Sequence, residues 1–208
     1  IRIIAINDNV DSFENPESIK SLIVPVKNLI NENYSRDISR KVASAYITMA
    51  KNGQFVAGTT PYGYMLDPED KHHLIPDPNE VQIVKKIFDM ALKGNGRIKI
   101  CTYLNDNGIL CRKEIQRRKK RKLSLSAFEI ESTYLWSTST IGRMLSNESY
   151  IGNLVQLKTK RAHFGTEKII TKDKEDYIRS ENTHEPIISK EDFDKVQIII
   201  KQNEKKKK

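Results

Sequence analysis

One stretch governs how this chain can fold: from near Val24 to about Asn52 the sequence reads as a single helix. Ile19, Leu22, Ile23, Val26, Leu29 and Ile30 recur at three- and four-residue steps and mark one apolar stripe. Pro25 is awkward in a helix interior and suits a first turn, which sets the start near Val24. Asn52-Gly53 supplies the stop. About 28 residues at 1.5 Å each give a rod of roughly 40 Å. A rod of that length outgrows a compact domain and points to a spacer or a dimer contact. Its second half is more polar, with Arg36, Arg40, Lys41 and Lys51 beside a thinner apolar set of Val42, Ala45, Tyr46 and Met49. Two readings stand open: a solvated charged face throughout, or a first half that packs on a partner and a second half that crosses phosphates.

The flanks read as separate pieces. Residues 1–6, Ile-Arg-Ile-Ile-Ala-Ile, read as a buried strand, broken by Asn7-Asp8-Asn9 and followed by a loop to Ser18. With no companion visible nearby, the rest of its sheet is expected upstream, and the chain, opening without Met, is expected to be a fragment. Residues 53–64, GQFVAGTTPYGY, read as an extended linker. Thr59 and Thr60 would let such a strand approach a DNA groove, and a plain connector is the equal alternative. Asp77-Pro78-Asn79-Glu80 reads as a helix start with a capping box. Val81, Val84, Ile87, Phe88 and Leu92 form the buried stripe that follows. A shorter helix is expected over about Arg97–Asn107, with Ile98, Cys101 and Leu104 inward.

Charge enters here. Lys and Arg number 36 against 27 acids, a net charge of +9 that favours a polyanionic partner through counterion release. Residues 112–122, RKEIQRRKKRK, hold eight basic side chains among eleven. Self-repulsion predicts an exposed, mobile loop there, with Arg117, Arg118, Lys119 and Lys120 as candidate phosphate contacts. Next, Ser137 reads as an N-cap, and Trp136 and Ile141 as the two halves of a hydrophobic staple. The helix so started turns Ile141, Met144 and Leu145 inward and Thr138, Ser139, Gly142, Arg143 and Asn147 outward. A small, hydroxylic face around one arginine suits a major groove, and an ordinary capped surface helix is the alternative. Gly152–Lys160 and Lys168–Arg179 read as two strands joined by a turn at 161–167. Lys158, Lys160 and Arg161 make the arm basic, as in a winged-helix wing. Ser189-Lys190-Glu191-Asp192 opens a last helix with Phe193, Val196, Ile199 and Ile200 on one stripe.

Several classes drop out. Cys101 and Cys111 show no paired spacing, and His72, His73, His163 and His184 are scattered, so no zinc site can be assembled and no metal or cofactor is expected. The spacing leaves a reduced pair and a disulfide both open, with the reduced, intracellular state favoured. No apolar run suits a membrane span, and no signal peptide is visible. Aromatics are only 7%, without the stacking signature of an RNA-recognition fold. No paired carboxylates suggest a nuclease.

The order of motifs resembles the large serine recombinases, the transposon resolvases and phage integrases of the resolvase/invertase superfamily. The stretches that carry this are IRIIAINDNVDS, NLINENYSRDISRKV, PYGY at 61–64, LNDNGI at 104–109, WSTSTIGRMLSNESYIG at 136–152 and ENTHEPIISKEDFDKVQ at 181–197. The resemblance implies an α+β, mainly helical fold: a strand, a long helix, then a helix-turn-helix-like recombinase domain with a β-hairpin. It implies that residues 1–52 end a catalytic domain with its dimerisation helix, 53–64 link, and 65–208 bind DNA. It implies double-stranded DNA as partner, a homodimer or tetramer in the parent protein, a cytoplasmic location and a role in mobile-element excision or integration. The family's serine nucleophile is not mapped onto this chain, and Ser21, Ser35 and Ser39 are not candidates for it. The family's zinc ribbon and coiled coil are likewise not matched. A winged-helix transcription regulator is the alternative from another class.

Overall fold

The computed structural model describes residues 4–5, 10–11, 13, 23–122 and 134–205. In chain order the elements are β1 (Ile4–Ala5), β2 (Val10–Asp11), α1 (Ile23–Lys51), β3 (Tyr64–Leu66), β4 (Leu74–Pro76), α2 (Val81–Leu92), α3 (Arg97–Asp106), α4 (Arg112–Arg121), α5 (Thr138–Leu145), β5 (Leu154–Gln156), β6 (Thr159–Arg161), β7 (Ile169–Thr171), β8 (Ile178–Ser180) and α6 (Lys190–Lys205). Short 3₁₀ turns occupy Glu148–Ile151 and Lys174–Asp176. The class is α+β and mainly helical, as expected. The chain divides into two compact units, residues 1–48 with 160–170, and residues 49–159 with 171–208.

In the first unit β1 pairs antiparallel with β2, Ile4 opposite Asp11 and Ala5 opposite Val10. One partner of the first strand thus lies in the segment that reads as loop. Two-residue strands carry no periodicity to detect. Helix α1 begins where Pro25 falls in its first turn, so the missing N–H leaves no bond unmade. Val26, Ile30, Tyr34, Ile38, Val42 and Tyr46, four residues apart, are all exposed and form one ridge along it. In the hairpin tip the Ala162 N–H donates to the Lys168 carbonyl at 2.8 Å. The Arg36 guanidinium lies 5.5 Å from the Phe164 ring centroid.

The second unit is built on a continuous core. It opens at the end of α1, where the Gly53 N–H donates to Ala50 O and the Gln54 N–H to Met49 O. This Schellman closure needs the left-handed φ of +76° that Gly53 supplies. Strands β3 and β4 form an antiparallel hairpin with Met65 opposite Ile75. Helix α2 buries Val84, Ile87, Phe88, Met90 and Ala91 and packs on α6 and α3. Helix α5 buries Ile141, Met144 and Leu145 against α3 and α6. Rings run through the centre in a chain of contacts, Phe193 to Phe88, Phe88 to Tyr150, Tyr150 to Tyr64 and Tyr64 to His184. Full burial of such side chains stabilises the unit by about 1.5–3 kcal/mol each. Their polar ends are satisfied: Tyr150 Oη donates to Tyr62 O and Tyr64 Oη to Glu185 O, each at 2.9 Å. Strands β5 and β8 pair antiparallel at the edge of this core.

Four local expectations are corrected. Residues 112–121 are helix α4, not a loop. Lys and Arg are good helix formers, the last turn places its cations at the favourable end of the helix dipole, and Glu114 in the first turn neutralises two of them. Ile98 is 70% exposed, and Ile100 takes its place inside. A stripe set by Ile100 and Leu104 puts Ile98 about 200° round the helix. Glu80 closes no capping box. Its carboxylate turns into the core to accept from the Gly63 N–H and from Arg112 Nη2, both at 2.8 Å. Residues 53–64 are extended but not a free connector, because Phe55, Tyr62 and Tyr64 are core residues. Cys101 and Cys111 are buried free thiols.

Candidate nucleic-acid interface

Helix α5 is positioned from both ends. Ser137 Oγ accepts from the Thr140 N–H, so the expected N-cap is in place. Ahead of it, Asn105 on α3 brackets the Trp136 backbone, its Oδ1 accepting from the N–H at 2.9 Å and its Nδ2 donating to the carbonyl at 3.3 Å. The Trp136 indole then donates to Ile109 O at 2.8 Å and packs edge-on against Tyr62. The LNDNGI stretch is thus a splint that sets where α5 begins. With Ile141, Met144 and Leu145 inside, Ser137, Thr138, Ser139 and Arg143 are left exposed. The Arg143 Nε donates to Ser139 O at 3.4 Å, which lays the side chain back along the helix.

Beside α5 lies a groove of about 550 Å³ lined by Phe55, Thr59, Pro61, Arg143, Asn147 and Lys158 among others. Three of the residues picked from the sequence, Thr59, Arg143 and Lys158, meet there from three separate parts of the chain. What holds the 53–64 strap in place was not anticipated. Gln156, buried on β5, accepts from the Val56 N–H at 2.9 Å and donates to Gln54 O at 2.8 Å. A glutamine in a strand gives no sequence signal of such a role. Thr59 is exposed and Thr60 half-buried on the same strap.

The basic helix α4 separates into two groups. Glu114 and Arg118 are both fully buried, with Arg118 Nε donating to Glu114 Oε1 at 2.8 Å. Arg117 Nε donates to Glu114 Oε2 at 3.0 Å, as does the Tyr134 N–H at 3.1 Å. The Arg117 hydrogen bond, followed by those from Arg118 and Tyr134, holds the Glu114 carboxyl at about 2 against the opposing pull of burial. Arg118, expected at the surface, is an internal ion-pair partner, and Arg117 is largely covered. A glutamate three and four residues before two arginines was the signal for this clamp. Lys119 and Lys120 are exposed.

On the first unit, Arg36, Arg40 and Lys41 are exposed on α1. Arg36 pairs with Glu32 at 2.7 Å and Arg40 with Asp37 at 3.6 Å, surface pairs that leave both cations hydrated. Lys160 and Arg161 are exposed on the hairpin. Among the described residues no ion pair involves Lys41, Lys119, Lys120, Arg143, Lys158, Lys160 or Arg161. No group of His, Cys, Asp and Glu able to hold a metal occurs among the described residues either.

Buried supports complete the site. His184 Nε2 faces Ser149 O at 2.7 Å and its Nδ1 faces Thr183 Oγ1 at 2.8 Å. Burial pushes its pKa down, so the ring is held neutral. Burial also raises the Glu80 carboxyl, opposed by the Gly63 amide and Arg112.

The second unit presents a capped, hydroxyl-rich helix beside a groove to which Arg143 and Lys158 contribute positive charge. The chain belongs to the Recombinase family, whose model matches residues 78–203, more than half of its length. The matched family gives no support to the winged-helix regulator. Two of the solved structures similar to it are the following. One comes from work on the sequence requirements of the Listeria innocua prophage attP site, with 17% identity, 78% of this chain and 52% of that one covered, and a TM-score of 0.46. The other is a crystal structure of an LSR–DNA complex, with 16% identity, 78% and 38% covered, and a TM-score of 0.43. The chain thus spans about half or less of these proteins. No helix among the described residues is long and apolar enough to cross a membrane.

Proposed function

We propose that this chain is the part of a serine site-specific recombinase that grips duplex DNA during cutting and rejoining, with none of its own residues assigned as nucleophile. The meeting of Thr59, Arg143 and Lys158 on one groove beside α5 carries the reading. In it, Ser137, Thr138, Ser139 and Arg143 face base edges, because short hydroxyls and one arginine leave room for a helix to enter the major groove. Thr59, Thr60 and Lys158 hold the adjoining phosphates, and Lys119, Lys120, Lys160, Arg161, Arg36, Arg40 and Lys41 extend the contact. Arg117 and Arg118 serve as internal braces for α4 and touch no DNA.

The same reading assigns residues 1–52 to the end of a catalytic domain and 65–208 to the DNA-binding domain, joined by the packed strap. The exposed apolar ridge on α1 supports a homodimer or tetramer in the parent protein, acting in the cytoplasm on a mobile element. The test is a binding titration of the full chain on duplex DNA, comparing Arg143→Ala and Lys158→Ala with Lys71→Ala, an exposed lysine outside the groove. Each groove variant is expected to lose about 1–3 kcal/mol of binding and the control almost none. Equal small losses in all three would remove the groove from the interface.

A further inference from the structure

Gly142 stands on the exposed side of α5 and is half-buried. What covers it is Arg97, from the first turn of α3. A methyl group on Gly142 would stand 2.8 Å from Arg97 Nη1, 3.3 Å from its Cδ and 3.7 Å from its Cζ, and these are the three nearest atoms from outside its own stretch of helix. The arginine therefore lies flat in a notch that exists because position 142 has no side chain. Arg97 is itself exposed and forms no ion pair among the described residues. No acidic residue lines the surrounding depression, which Arg97 shares with Thr138, Ser139 and Asn203. A guanidinium with five donors, covered on one face and with no carboxylate partner among the described residues, is poised for an anion.

Position supplies the rest. Gly142 and Arg143 are consecutive, so they point about 100° apart around α5. Arg143 borders the groove with Thr59 and Lys158, and Arg97 borders the depression on the other flank. We infer that Arg97, seated in the Gly142 notch, is a phosphate clamp on the flank of α5 opposite Arg143, so that the helix is held to both backbones of the groove it enters. This rests on the DNA-gripping reading above and adds a residue that reading does not contain. Gly142 acts only through Arg97 and is a positioning residue.

The two residues make a closed test. Alanine is the better helix former and Gly142 has no left-handed φ, so Gly142→Ala is expected to leave the fold intact or slightly raise Tm. The clash is with the far end of a flexible side chain, which swings away. The full chain would be titrated onto a labelled mixed-sequence duplex over a range of salt, as wild type, Arg97→Ala, Gly142→Ala and the double variant. Arg97→Ala is expected to weaken binding about tenfold and lower the salt slope by about one, the signature of a lost phosphate contact. Gly142→Ala should reproduce most of that loss at unchanged or higher Tm, and should add nothing once Arg97 is alanine. Additive losses, or a Gly142→Ala variant that binds like wild type, would overturn the clamp while leaving the DNA-gripping reading intact. A loss seen only on one sequence, with an unchanged salt slope, would overturn the phosphate assignment. A wild-type chain that fails to bind the duplex would overturn both.

Discussion

Arg118 is a guanidinium sealed from water, and Glu114 is what makes that tolerable. Removing the carboxylate takes from the buried guanidinium its hydrogen-bonded counter-charge, at a typical cost of about 3–5 kcal/mol. Glu114→Ala should therefore lower the unfolding free energy by about that amount in a denaturant titration, whereas loss of an exposed neighbour such as Lys120 should stay within about 0.5 kcal/mol. Two groups also set a pH response. The His184 pKa is lowered in the folded state, so its contribution is complete above the unfolded value near 6.5 and declines as pH falls below it. Glu114, held at about 2, contributes fully above the ordinary carboxylate range, and that share is lost as pH falls from about 4.5 toward 2. Thermal unfolding followed from pH 8 to 3 should show two successive losses of Tm, and His184→Gln should erase the upper one. A flat profile between pH 7 and 5 in the wild type would contradict the buried, neutral ring.

Among the elements, α5 was the most legible. Its cap residue and its three inward side chains could be placed from spacing, since a short amphipathic helix with a serine ahead of it leaves little choice. Ser137→Ala should cost about 1 kcal/mol of stability, the usual value of a lost N-cap. The splint from Asn105 was not legible, because it joins residues far apart in sequence and depends on the path of α3. Asn105→Ala leaves two backbone groups of Trp136 unpaired and should cost about 1–3 kcal/mol. It should also weaken DNA binding by shifting the start of α5, and an Asn105→Ala chain with wild-type stability would show the splint to be incidental. Helix α4 misled for a definite reason. Counting like charges predicts repulsion, but the decisive residue was the single glutamate, whose spacing to Arg117 and Arg118 a bare charge count passes over. Strand β2 was missed because two residues show no period, whereas β1 falls within the strand read over residues 1–6. Glu80 was misread because its capping spacing is real while its side chain is drawn inward by Arg112.

For the whole molecule, the surplus of +9 and its distribution matter more than any one contact. Exposed cations with no ion pair among the described residues occur in both units: Lys41, Lys160 and Arg161 in one, Lys119, Lys120, Arg143 and Lys158 in the other. If these sit on phosphates, each one bound releases about 0.9 of a condensed counterion. The most direct measurement is the affinity of the full chain for duplex DNA as a function of salt concentration. Log–log slopes steeper than about −3, with affinity falling by at least tenfold between low and physiological salt, are what a multi-phosphate grip requires. A slope near zero, with affinity indifferent to salt, would mean that these side chains hold no backbone and that the chain does not grip DNA.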